Sequence, residues 1–233
     1  KESVIVEYSK NYVEQIHSFI RVGTGSLGGK ARGLAFSNSI LSNYKFKNKF
    51  PEVIIRIPNI IVISTSEFDE FMELNNLWKI SLSLTDNKKI EKKFIRSKLP
   101  SKLSKTLKNL LKKIKYPLAI RSSSLLEDSQ YKPLAGMYST FMLPNSHVDE
   151  KERYNQLCET IKRIYASTFF QGPKSLMDTI IHRHEEEKMG IIIMELAGQK
   201  HGELFYPTFS GVAQSYNYYP VSYMKREEGT IFT

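Results

Sequence analysis

The sequence predicts an α/β or α+β domain, and three observations carry that prediction. Short apolar runs of the kind that form buried strands recur along the chain: Ile60-Ile61-Val62-Ile63, Leu118-Ala119-Ile120, and Met189 to Leu196. Amphipathic helical stripes lie between them, clearest over residues 149–170, where Leu157, Ile161, Ile164, Tyr165 and Phe169 share one side. No internal repeat or Pro/Ser-rich linker interrupts the series, so strands alternating with helices form a continuous organisation.

Each element has its own local reason. Residues 9–20 read as helical and lead into the glycine-rich stretch Gly23-Thr24-Gly25-Ser26-Leu27-Gly28-Gly29-Lys30. A helix is expected from about Ala31, with Leu34, Asn38 and Leu41 on one face. Ile57-Pro58 leads into the first buried strand. Ser64-Thr65-Ser66-Glu67 then has the spacing of a capping box, which starts a helix through Phe68, Phe71 and Met72. Leu103, Leu107, Leu110, Leu111 and Ile114 follow a helical period, with Tyr116-Pro117 ending that helix and Arg121 standing at the end of the next strand. A further helix is expected from about Pro173 to the acidic run Glu185-Glu186-Glu187, since proline suits the first helical turn. After the Met189–Leu196 strand, residues 202–233 read as a β-like tail with turns.

Composition removes several classes of protein. The chain has 233 residues, 41% hydrophobic and 25% charged, which is globular rather than disordered or fibrous. Its longest apolar runs fall far below the roughly 18 residues that cross a bilayer, and the first residues, Lys1-Glu2-Ser3-Val4, contain no apolar signal region. The one cysteine, Cys158, excludes an internal disulfide and suits a reducing compartment, so a cytoplasmic protein is expected. The formal net charge of +10 is concentrated in residues 86–115, where twelve basic side chains stand against Asp86 and Glu91; the remainder is neutral, 22 against 22. Those lysines alternate with the leucine stripe, the pattern of a solvated helix face. Nucleic acid is therefore not the expected partner, although steeply salt-dependent association would reveal it.

Three motifs could carry chemistry. Closely spaced glycines before a helix let backbone amides approach an anion. Gly23, Gly25 and Gly28 match G-x-G-x-x-G, but the preceding segment reads as helical and no acid ends a second strand at the right place, which argues against a dinucleotide fold. A Walker A loop fails because Thr24 and Ala31 stand at required Gly and Ser/Thr positions. What remains is Gly-Gly-Lys-x-x-Gly, with Lys30 either facing phosphate or sitting in an ordinary capped loop. In Ile120-Arg121-Ser122-Ser123-Ser124, a guanidinium followed by hydroxyls suits phosphate; the alternative is an ion pair to Glu127 or Asp128. Ala135-Gly136-Met137-Tyr138-Ser139-Thr140-Phe141 is either a loop over a ligand or a turn and edge strand. His182 and His184 diverge on a helix and make a poor metal pair, and Cys158 reads as a packed core thiol.

The order of these motifs is more specific than any one of them. Gly29-Lys30-Ala31-Arg32-Gly33-Leu34, Ile57-Pro58 with Val62-Ile63-Ser64-Thr65, Leu118 to Ser124, Ala135-Gly136 with Thr140, Tyr165-Ala166-Ser167 and Met189 to Ile193 form one series. It resembles the N-terminal ATP-binding domain of the phosphoenolpyruvate synthase and pyruvate phosphate dikinase family, an ATP-grasp fold, from about Val22 onward.

The resemblance implies that the β-phosphoryl of ATP passes to a histidine on a mobile domain and then to pyruvate or a similar acceptor. It implies that Lys30 contacts the phosphates, and that Arg121, beside Ser122, clamps them and stabilises developing charge. Gly136, Ser139 and Thr140 match the covering loop; Glu195, Leu196 and Ala197 match the hinge whose backbone meets adenine, with Met194 where glutamine is common. Residues 1–196 correspond to the N-terminal subdomain, and 197–233 to the hinge and opening strands of a second, with Ser210 to Asn217 as its first strand. The Mg²⁺ ligands are expected beyond the end of the chain, as are the phosphohistidine and pyruvate-binding domains, because no histidine follows a Gly-Gly-x-x-x-His pattern. The chain reads as a fragment that binds ATP and turns nothing over alone. A non-catalytic nucleotide-sensing or interaction module that retains the fold is the alternative.

Overall fold

The computed structural model describes residues 5–9, 19–44, 49–124, 136–177 and 187–233. The chain divides into two compact units, Lys1–Leu196 and Ala197–Thr233. In the first, strands β1 (Ile5–Glu7), β2 (Phe19–Val22), β3 (Ile60–Ile63), β4 (Leu118–Ser124), β5 (Thr140–Leu143) and β6 (Met189–Glu195) form one mixed sheet. Their spatial order is β1-β2-β3-β6-β4-β5. The first three run parallel, which requires a crossover between β2 and β3; helix α1 (Gly29–Asn43) supplies it. β6 inserts antiparallel between β3 and β4, and β5 closes the edge antiparallel to β4. This is the mixed α/β architecture the sequence predicts, consistent with an ATP-grasp N-terminal lobe.

The two faces of the sheet are covered unequally. One carries α2 (Thr65–Leu74), α3 (Trp78–Ser83), α4 (Asn87–Arg96), α5 (Ser101–Lys113) and α6 (Glu150–Ser167), followed in the chain by α7 (Gln171–Met177). Here Ile61, Ile63, Ile120, Ile191 and Ile193 meet Phe68, Phe71, Phe94, Leu107 and Tyr165 in the main core. Ring centroids at 5.1 Å (Phe68–Tyr165) and 5.3 Å (Phe71–Tyr165) add aromatic contacts to the buried area. On the other face α1 lays Ala31 and Ala35 against Phe19, Ile60, Val62 and Ile192. Period-two alternation puts Arg121 on the α1 side, since its pair partner Ile192 belongs to that cluster while Ile120 belongs to the main core.

The basic segment becomes α4 and α5. Asp86 caps α4 by accepting from the amides of Lys88 and Lys89, and Glu91 pairs with Arg163 at 2.5 Å. Leu103, Leu107, Leu110 and Leu111 are buried while Lys102, Lys105, Lys108 and Lys112 are exposed, so this charge run is a solvated face. Cys158 is buried, and burial pushes its thiol pKa up. In the second unit, β7 (Gln199–His201) pairs with β8 (Leu204–Tyr206), and β9 (Val212–Gln214), within the expected opening strand, pairs with β10 (Thr230–Phe232). No helix of the described residues is long and apolar enough to cross a membrane.

Several expectations need correction. The helix expected over 9–20 is a strand at its end, because Phe19 and Ile20 bury opposite faces of β2; residues 10–18 lie outside the described set. Arg121 is not at a strand end: β6 pairs with β4 through Ser124, so the arginine is its fourth residue. The leucine-stripe helix stops at Lys113 rather than at Tyr116-Pro117, with Ile114 extended as its C-cap. The Pro173 helix begins two residues earlier, and its expected continuation to the acidic run falls largely outside the described residues, as do His182 and His184.

The capping box over Ser64–Glu67 starts its helix without making its hydrogen bonds. Ser64 instead gives its hydroxyl to the Val22 carbonyl at 3.0 Å, and Glu67 is buried. Burial, with repulsion from Glu70 and opposed by Lys102, raises the Glu67 pKa above the ordinary 4.5. A carboxyl raised in the folded state contributes stability below its unfolded pKa and loses it as pH rises through the folded value. Glu67→Gln is neutral throughout, so its stability should gain on the wild type as pH rises from 4.5 through that raised value. Urea unfolding of both proteins at a series of pH values checks this; a gap independent of pH would contradict it.

Candidate nucleotide-phosphate site

Three segments meet where α1 begins. Leaving β2, residues 23–28 fold onto the β3–α2 junction through reciprocal hydrogen bonds. The Thr24 amide donates to Ser66 Oγ at 2.9 Å and the Ser66 amide to the Thr24 carbonyl at 3.3 Å. The Ser26 amide donates to Thr65 Oγ1, and the Thr65 amide to the Ser26 carbonyl, both at 3.0 Å. Gly28 N donates to Ser26 Oγ at 3.1 Å. The amides of Thr24, Ser26 and Gly28, which an anion-cradling loop would offer outward, point to the protein's own hydroxyls. This stretch is a joint, and the cations beside it are side chains.

The joint closes against β4. Gly28 has φ 79° and ψ 172°, a region essentially restricted to glycine, and a Cβ there would lie 1.8 Å from the Ser123 carbonyl oxygen. Across the strand pair, a Cβ on Gly190 would lie 2.9 Å from the Leu27 carbonyl oxygen and 3.1 Å from that of Ser123. The Ser123 hydroxyl accepts from the Ala31 amide at 3.0 Å and donates to the Leu27 carbonyl at 2.8 Å. Lys30, held between those two residues, brings Nζ to 3.4 Å from Ser122 Oγ.

The structure therefore brings Lys30 to Ser122 and sets Thr140 opposite Arg121, the residue next to Ser122, whose side chain alternates to the other face of β4. Ser122 is fully buried; Arg121 is partly exposed, and Thr140 faces it across β4–β5. Among the described residues Arg121 forms no ion pair, and the acids the sequence offered it, Glu127 and Asp128, lie outside them. Thr140 is the first residue of an edge strand, the second of the two readings the sequence left open, and is fixed by its pairing with Arg121. Ser139 immediately precedes it, and exposed Gly136 has φ 76° with open space where a Cβ would point. The strand β2 before the glycines removes one objection to a dinucleotide loop, but the missing acid, the inward amides and the antiparallel half of the sheet give that reading no support.

Glu195 ends β6 three residues from the Arg121 register, about 10 Å at the usual strand rise, and Leu196 follows it. Arg56 grips the Glu195 carboxylate bidentately at 3.1 and 3.2 Å, and Asn59 donates to it from both amide groups at 3.1 and 2.8 Å. Arg56 has its pKa raised chiefly by that hydrogen bond; burial and the Glu195 charge push Tyr116 up to about 12. The Glu195 amide donates to the Asn59 carbonyl and the Leu196 amide to the Pro117 carbonyl, both at 2.9 Å. Ala197 is exposed and begins the second unit. Sequence reading missed Ser123, Thr65, Ser66, Arg56 and Asn59 as shaping residues. Only the hydroxyl runs at 64–66 and 122–124 could have signalled the first three.

The fold is a mixed α/β domain whose strand β4 carries an arginine and three serines beside a helix start that bears a lysine. The family model described as pyruvate phosphate dikinase, AMP/ATP-binding domain, matches residues 24–231, so the chain belongs to that family of nucleotide-binding phosphotransferase domains. Comparison with curated proteins gives no match.

The joint makes a stability prediction. Gly28→Ala must relieve both a disallowed backbone and a 1.8 Å contact with a main-chain atom, and should cost about 3 kcal/mol or more. Gly136→Ala meets open space and should cost about 1 kcal/mol from its positive φ alone. Thermal unfolding of the two variants checks the ranking; equal losses would contradict it.

Proposed function

We propose that this domain holds ATP with its phosphates against Lys30, Arg121 and Ser122, and its adenine toward the Glu195–Ala197 hinge. The observation that carries the reading is the contact of Lys30 Nζ with Ser122 Oγ beside Arg121, which sets two positive charges and a hydroxyl at one strand. Lys30 supplies a compact charge and Arg121 a planar fork, the two complementary ways of holding phosphate oxygens. Gly136, Ser139 and Thr140 border the same strand and would close over the phosphates. At the hinge the amides of Glu195 and Leu196 are engaged, so adenine recognition there falls to the remaining backbone groups. Mg²⁺ would accompany ATP and neutralise phosphate charge.

In this reading Lys30 and Arg121 orient the phosphate chain and stabilise charge as the β-phosphoryl moves to a histidine of another domain, then to pyruvate or a similar acceptor. Phosphohistidine and pyruvate-binding domains would complete the cycle, in the cytoplasm. Calorimetric titration with ATP and Mg²⁺ tests the site: Lys30→Ala and Arg121→Ala should each weaken binding by about 1.5–3 kcal/mol. Unchanged affinity in both would exclude it.

A further inference from the structure

We propose that Ser123 is a positioning residue for the nucleotide phosphates, acting through Lys30; the inference rests on Lys30 as a phosphate ligand. Helix α1 begins at Gly29 after Gly28, which has no side chain to cap it, and no side-chain cap bond is made at that position. First-turn amides have no acceptor within their own helix and need one from outside. Ser123 provides it from 92 residues away, accepting from Ala31 and donating to Leu27, with its side chain fully buried. Its two partners bracket Lys30 in sequence. The ordinary N-cap has thus been transferred to β4, next to Ser122 and Arg121. One hydroxyl sets where the lysine stands relative to the arginine strand, and the Gly28 contact with the Ser123 carbonyl leaves little room for the helix to drift toward β4.

Without this hydroxyl the Ala31 amide loses its acceptor in a buried setting, and α1 can shift by rotating about its first turn. Lys30 then loses its register with Arg121, although both side chains are still present. A role of this kind shows as coupling, which a general loss of stability does not produce.

The test is a cycle of four full chains, wild type, Ser123→Ala, Lys30→Ala and the double variant, titrated with ATP and Mg²⁺ and, in parallel, with adenosine. Ser123→Ala should weaken ATP binding about tenfold in the wild-type background and less than about twofold in the Lys30→Ala background. Adenosine affinity should not change. Equal losses in both backgrounds, a matching loss for adenosine, or no loss at all would overturn the proposal. Lys30→Ala without effect on ATP would overturn the lysine assignment and the proposal with it. Melting temperatures establish that each variant is folded. If Ser123→Ala is not, Ser123→Cys keeps the side chain's reach with weaker hydrogen bonds, and the same comparison decides.

Discussion

The close approach of Gly28 to the Ser123 carbonyl is the constraint on which the rest of the first unit depends. It brings the start of α1 against β4 in a space that no side chain could share, while Gly190 admits β6 beneath the same junction. With the main chains that near, one serine hydroxyl reaches both Leu27 and Ala31. Lys30 then meets Ser122 as a consequence of backbone geometry, and the loop from Gly23 to Gly28 has its amides directed to Ser66, Thr65 and Ser26. A glycine-rich sequence that suggests an anion cradle is used instead to bring secondary structures together.

The two faces of the sheet differ around Arg121. α1 covers β2, β3 and β6 on its side, but the edge beyond it carries Thr140 and Met142 exposed, with Arg121 between them and the helix. On the opposite face the aromatic core of Phe68, Phe71 and Tyr165 packs against the sheet. At the far end of β6, Arg56 and Asn59 hold the Glu195 carboxylate by hydrogen bonds.

The readable parts of the sequence were those governed by local chemistry. Runs such as Ile60–Ile63 and the leucine stripe of α5 report their own burial, so strands, helices and the solvated lysine face were legible. The order of motifs identified the family and named Lys30 and Arg121. What stayed hidden was long-range. Ser64 and Glu67 have capping-box spacing, yet Ser64 bonds Val22, 42 residues away, and Ser123 caps a helix 92 residues away; neither partner can be inferred from spacing. β2 was misread because only four of its residues pair, too few to show an alternation against the segment before it.

Position rather than quantity of charge is the central claim: in the proposed site the nucleotide is met by Lys30 and Arg121, whereas the lysines of residues 86–115 are solvent-facing. Amine-reactive labelling of the chain with and without ATP and Mg²⁺, read residue by residue by mass spectrometry, tests it most directly. Lys30 should be protected by ATP while Lys88, Lys92, Lys105 and Lys112 keep their reactivity. Protection of those lysines with Lys30 unchanged would contradict the account.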